Sequence, residues 1–182
     1  MRSVQKELES IRDFLTEKIQ KNDFKMARPP VEGDEISPLK VIRPKVAIGN
    51  IPHGNFSMFY AADERFYQAP YILVGYENAK FGPDDEEIDI LIQGCAYTAD
   101  VYDKDEEADL DFPDNEGIVD VTQMLERVMD WIREIPTFPP LMDYTIGNYG
   151  TQAYTYPYNF GYLSFQLKTN AGAMPRTKLL EL

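Results

Sequence analysis

Two runs decide how this chain folds: Ala69-Pro70-Tyr71-Ile72-Leu73-Val74-Gly75-Tyr76-Glu77-Asn78 and, a short interval later, Glu87-Ile88-Asp89-Ile90-Leu91-Ile92-Gln93-Gly94-Cys95-Ala96-Tyr97. Both are rich in β-branched and aromatic side chains, which suit a pleated, half-buried surface. Between them lies Gly82-Pro83-Asp84-Asp85, which is turn chemistry. The spacing predicts a long antiparallel hairpin, with Pro70 placed where it can begin a strand without interrupting a ladder. In the second run Ile88, Ile90 and Ile92 fall on one face and Asp89, Leu91 and Gln93 on the other. A strand with one buried and one wet face is expected from that alternation.

Outward from the hairpin, two helices are legible. Val4, Leu8, Ile11, Leu15 and Ile19 draw one apolar stripe between Ser3 and about Gln20, with Phe14 at its edge and Asn22-Asp23 able to end the helix. A second, stronger stripe of Ile118, Val121, Leu125, Val128, Met129 and Ile132 runs between Gly117 and Ile135. Asp114 or Asn115 can cap it and Pro136 stops it. Met124 and Trp131 sit at its flank, where they serve either the core edge or a contact with another subunit.

The remaining segments extend the sheet. Leu39 to Ile48 is strand-like, but Pro44 pushes it to a sheet edge or a break. Asp143-Tyr144-Thr145-Ile146 and Phe160 to Leu167 read as strands, the second with Phe165 and Leu167 on one face. Tyr144, Tyr149, Tyr154, Tyr156, Tyr158 and Tyr162 crowd this end of the chain. Tyrosine joins apolar area to a polar tip, so the cluster suits either a protein contact or sheet packing with hydroxyls in water. The expected fold class is α+β: a mainly antiparallel sheet with a long central hairpin, packed by two amphipathic helices. A single domain over residues 1–168 with a C-terminal extension over 169–182 accommodates all of this within 182 residues.

Charge narrows the function classes. The formal net charge is −13 and the isoelectric point about 4.5, which opposes general attraction to phosphate backbones or anionic lipids. No apolar run reaches the ~20 residues needed to cross a bilayer, and no membrane partner is expected. The first residues lead into a charged amphipathic pattern and not a signal peptide, so synthesis is expected to leave the protein in the cytoplasm.

Residues able to carry chemistry are sparse. The single cysteine, Cys95, sits inside a strand and reads as a small packed residue, and the single histidine, His53, lies in the turn-like Ile51-Pro52-His53-Gly54-Asn55. The acidic block from Asp100 to Glu116 has one lysine, Lys104, and reads as a solvated loop. A calcium loop beginning at Asp103, with Asp105, Glu107 and Asp109 as ligands, fails because the sixth position is Ala108 and the twelfth Asp114. No phosphate-cradling loop, nucleophile elbow, zinc helix or cysteine pair is present. No enzyme, cofactor or metal site is therefore expected; the competing reading is a calcium-binding module or a small acidic hydrolase built from the acidic block.

The order of elements resembles the tail terminator, or tail completion, proteins of long-tailed bacteriophages. The residues that carry the likeness are Pro70-Tyr71-Ile72-Leu73-Val74-Gly75-Tyr76, Glu87-Ile88-Asp89-Ile90-Leu91-Ile92, and the helix from Val121 to Ile135 after a polar loop. The interval from Ile51 to Ala69 and the tyrosine-rich end depart from the simplest members. What the resemblance implies is a virion subunit that forms a homo-oligomeric ring, usually a hexamer, on the tail tube protein. Such a ring ends tube growth, offers a docking surface to the head-tail connector or neck protein, and lets DNA pass without specific binding. A neck or head-completion protein is the alternative within that setting. On this reading Tyr71, Leu73, Tyr76, Phe81, Tyr154, Tyr156 and Tyr158 are candidate subunit or partner contacts. Asp84, Asp85, Glu86, Asp103 and Asp105 are candidates to line an acidic lumen that does not grip phosphate.

Overall fold

The computed structural model describes residues 4–30, 40–49, 69–82, 85–98, 116–135, 143–149 and 158–170. Its element order is α1 (Val4–Lys21), β1 (Met26–Ala27), β2 (Val41–Ile42), β3 (Lys45–Ile48), β4 (Tyr71–Phe81), β5 (Asp85–Tyr97), α2 (Glu116–Ile132), β6 (Tyr144–Asn148) and β7 (Tyr158–Asn170). The hairpin is antiparallel, β4 on β5, as its sequence predicts, and both strands outrun the expectation at the turn. Asp85 belongs to β5 and not to the turn, and β4 continues through Ala79, Lys80 and Phe81. A bulge between Tyr76 and Asn78 precedes that extension.

The hairpin is not a sheet edge along its whole length. The strand order is β3-β4-β5-β7-β6, so β5 is central, paired on its far side with all of β7 from Tyr158 to Asn170. β3 runs parallel to β4 and covers only Tyr71 to Val74, while β6 covers only Gly161 to Phe165 of β7. Pro44 does what its chemistry dictates: it separates β2 from β3 and leaves β3 at the border. The segment before it, Val41–Ile42, pairs with Met26–Ala27 in a separate two-stranded ribbon that the sequence reading did not anticipate.

Both helices lie on one face of the large sheet. Leu8, Ile11, Leu15 and Ile19 of α1 and Val121, Leu125, Val128, Met129 and Ile132 of α2 are buried with Ile72, Val74, Ile88, Ile90, Ile92, Leu163, Phe165 and Leu167. The residues at spacings of three and four thus reach the face of alternating strand residues, each large aliphatic contributing about 1.5–3 kcal/mol by leaving water. Met124 and Trp131 belong to this core as well, at 1% and 5% exposure, so the core reading of these flank residues is the one observed. Trp131 meets Phe24 edge to face at 5.7 Å, joining the chain after α1 to the end of α2.

Met124 fits because the sheet has no side chains beneath it. Gly94 and Gly161 are cross-strand partners, and a Cβ at Gly94 would lie 2.4 Å from Met124 Cε. A Cβ at Gly161 would lie 3.0 Å from Leu125 Cδ1 and 3.1 Å from the Gly147 carbonyl oxygen. Close approach of α2 to the sheet therefore depends on this glycine pair.

The end of α1 is closed by Asn22, whose backbone N–H and Nδ2 both donate to the Lys18 carbonyl, at 3.0 and 2.8 Å. Asp23 follows with φ of 48° and pairs with Lys25 at 2.7 Å and Arg43 at 2.6 Å. Hydrogen bonds from those two cations hold the Asp23 carboxyl below its ordinary pKa.

Candidate subunit interface

Opposite the helices, the sheet presents a second face that the alternation of β5 predicts to be wet. It is wet over only half its length. Gln93 is 3% exposed and Leu73 4%, and Leu73 packs with Ala47, Tyr71, Tyr149 and Phe160. The expectation of a solvated face therefore fails at Gln93, because side chains from β4 and β7 and from Tyr149 close over it. A neighbouring group of Ala69, Cys95, Tyr97, Tyr158 and Phe160 continues the same apolar cover. One half of this face is thus aromatic.

Cross-strand pairing builds that half. Tyr71 faces Cys95, Cys95 faces Phe160, and Tyr97 faces Tyr158 with ring centroids 5.6 Å apart. Gln93 donates from Nε2 to the Tyr149 hydroxyl oxygen at 2.5 Å, and the Tyr149 ring lies 5.2 Å from that of Tyr162. Burial pushes the Cys95 thiol well above its ordinary pKa, and burial followed by the proximity and hydrogen bond of Cys95 does the same to Tyr71. A buried thiol of raised pKa is a poor nucleophile, which agrees with its reading as a packing residue.

The other half of the face, towards the hairpin turn, is polar. Glu77, Asp89, Asp143, Thr145, Ser164 and Gln166 border a shallow groove of about 310 Å³. Gln166 donates to Asp89 at 2.7 Å across β5 and β7. Among the described residues no group of three His, Cys, Asp or Glu is placed to hold a metal ion. No described helix is long and apolar enough to cross a membrane.

The candidate contact residues fall into two kinds. Tyr71 and Tyr158 are half-buried in the aromatic face and Leu73 is committed to the subunit's own packing. Tyr76 and Phe81 are exposed, at 43% and 44%, on the part of β4 that β3 does not cover. Tyr154 and Tyr156 lie outside the described residues. Of the candidate lumen carboxylates, Glu86 is half-buried opposite Phe81, and Asp85 is placed in the strand by its backbone pairing with Asn170. Asp84, Asp103 and Asp105 lie outside the described residues, as do the whole acidic segment 99–115, His53 and the expected cap at Asp114 or Asn115.

Sequence reading singled out β4 but missed β6 as a second border. Tyr144 there is 42% exposed, and the Arg133 guanidinium lies 4.8 Å from its ring centroid. Its signal was available: Tyr144-Thr145-Ile146-Gly147-Asn148 contains no charge and no proline, the usual guards of an edge strand.

Fold and surface together define an α+β protein whose one large, mostly antiparallel sheet is backed by two helices on a single face. Its sequence matches no protein-family model and no curated protein.

Proposed function

We propose that this chain is a structural subunit of a bacteriophage virion, forming a ring at the head-proximal end of the tail tube. In that position the ring ends tube growth and gives the head connector a surface on which to dock. The observation that supports this reading is the pair of unlike borders on one sheet: the outer half of β4, with exposed Tyr76 and Phe81, and β6, with exposed Tyr144. Subunits that use two different surfaces join head to tail, and such contacts generate rings when the rotation closes. The net charge of −13 suits a channel through which DNA must slide without being held.

Electron microscopy and light scattering of the purified chain, alone and mixed with tail tubes, test the reading. Rings, or tubes capped at one end, are the expected outcome. A monomer that neither closes into rings nor caps tubes overturns it.

A further inference from the structure

We infer that the subunits join by sheet extension, β6 of one copy adding to the outer half of β4 of the next, in antiparallel register. This rests on the ring reading above and names the junction it needs.

Four features of the fold support the pairing. First, polarity: β4 is antiparallel to β5, β5 to β7 and β7 to β6, so β6 runs opposite to β4. Copies related by rotation, with helices on the same side, bring the two borders together antiparallel. Second, among the described residues both borders keep backbone groups that no strand pairs. Backbone Tyr149 N–H donates to the Phe160 carbonyl at 3.1 Å, which by the alternation of an antiparallel ladder turns the N–H groups of Thr145 and Gly147 towards β7 and those of Tyr144 and Ile146 outward. On β4, pairing with β3 ends at Val74, whose carbonyl accepts from Gly49 N–H at 3.1 Å. Among the described residues nothing pairs with that border from Gly75 to Phe81.

Third, the exposed aromatics share a face. Tyr76 pairs with Ile90 and Phe81 with Glu86, both in phase with the helix-facing Ile88 and Ile90, and Tyr144 pairs with Phe165, also helix-facing. In a continuous sheet that uses only the open half of β4, Tyr144 of one copy therefore meets Phe81 of the next, an aromatic cross-strand contact, because Tyr144 opposite Tyr76 would set Ile146 against Val74, which β3 covers. Fourth, β6 lacks the charge, proline or bulge that keeps a free edge from pairing, so its working state is a paired one.

The pairing also predicts a geometry. Within one copy Ile146 aligns through Leu163 and Ile92 with Val74, whereas Tyr144 opposite Phe81 sets Ile146 against Ala79, the partner of Ile88. Successive copies are then stepped by about four residues, roughly 13 Å at the rise of a strand. Closed sheets take up such a stagger by tilting their strands to the axis.

Cysteine cross-linking of the full chain tests the junction, since native Cys95 is buried. The double variants Tyr76→Cys/Tyr144→Cys and Phe81→Cys/Tyr144→Cys are oxidised and run without reductant. A ladder of covalent multimers from Phe81→Cys/Tyr144→Cys, with monomer from each single variant, supports the inference, and a ladder from Tyr76→Cys/Tyr144→Cys alone overturns the stepped register. Covalent dimers from Tyr76→Cys or Phe81→Cys alone overturn it in favour of β4 on β4. Rings in the microscope with no ladder from either double variant overturn this junction and leave the ring reading intact. Monomers that also fail to cap tubes overturn both.

Discussion

Tyr71 and Cys95 stand opposite each other on β4 and β5, phenol hydrogen-bonded to thiol, inside the aromatic half of the helix-free sheet face. Burial holds both groups in their neutral forms, and it raises the pKa of Tyr97, Tyr149 and Tyr158 on the same face. The face is built to be stable while protonated.

Alkaline pH is therefore expected to destabilise this protein. In the unfolded chain the thiol ionises near 9.0 and the phenols near 10.0, whereas in the fold both stay protonated to higher pH. Above the unfolded values the native state binds more protons than the unfolded one, so stability is complete below about pH 8.5 and falls as pH rises. Each group held protonated removes about 1.4 kcal/mol per pH unit in that window. Urea unfolding at steps between pH 7 and 11 should show a falling free energy, with a shallower fall in Cys95→Ala. A flat profile over that range would contradict the burial of the pair.

A second consequence concerns the glycine pair beneath α2. Gly94→Ala places a methyl 2.4 Å from Met124 Cε, so the end of that buried side chain must shift towards the pocket of about 170 Å³ that it lines with Phe24, Met26 and Tyr97. The variant is expected to lose about 1–3 kcal/mol from overpacking. Met124→Ala opens the space the methyl needs, so the double variant should cost less than the sum of the singles. Additive losses in denaturant titrations would show that the methyl and the thioether do not compete.

How much of this was readable from the chain depends on whether the signal was local. The stripes Leu8-Ile11-Leu15-Ile19 and Val121-Leu125-Val128-Ile132 gave both helices, since period alone identifies the buried side. Ile88, Ile90 and Ile92 gave the core face of β5 for the same reason. Met124 lay at the flank of the stripe, and its full burial depends on two glycines on strands distant in sequence, which helical period does not encode. Gln93 and Leu73 were legible as strand residues but not as buried ones, because Tyr149 and Phe160 arrive from the far end of the chain. The two-residue pairing of Met26–Ala27 with Val41–Ile42 is too short to leave a pattern. Exposed Tyr76 and Phe81 were legible as contact candidates, Phe81 from beyond the expected strand, while Tyr144 was read as a strand residue but not as a contact.

The Gln93 amide offers a third test. It is 3% exposed and donates to the Tyr149 oxygen, so Tyr149→Phe removes an acceptor from a buried polar group. The expected loss is about 1–3 kcal/mol, the cost of leaving such a donor without that bond. In a Gln93→Leu background the same change at Tyr149 should cost much less. Equal costs in the two backgrounds, by thermal or chemical unfolding, would assign the effect to ring packing.

The last prediction separates residues that hold the subunit together from residues available to hold subunits to each other. Leu73 and Tyr76 lie on the same strand, yet one is 4% exposed and the other 43%. Leu73→Ala removes buried methyl groups and leaves a cavity, which costs about 2–5 kcal/mol. Tyr76→Ser and Phe81→Ser remove side chains that the fold leaves half in water, and changes of that kind usually stay within about 0.5 kcal/mol. If the outer half of β4 is a joining surface, these two variants keep the melting temperature of the isolated subunit while lowering its assembly in sedimentation experiments. Loss of folded stability from Tyr76→Ser equal to that from Leu73→Ala would show that Tyr76 serves the fold, and unchanged sedimentation of both serine variants would remove β4 from the junction.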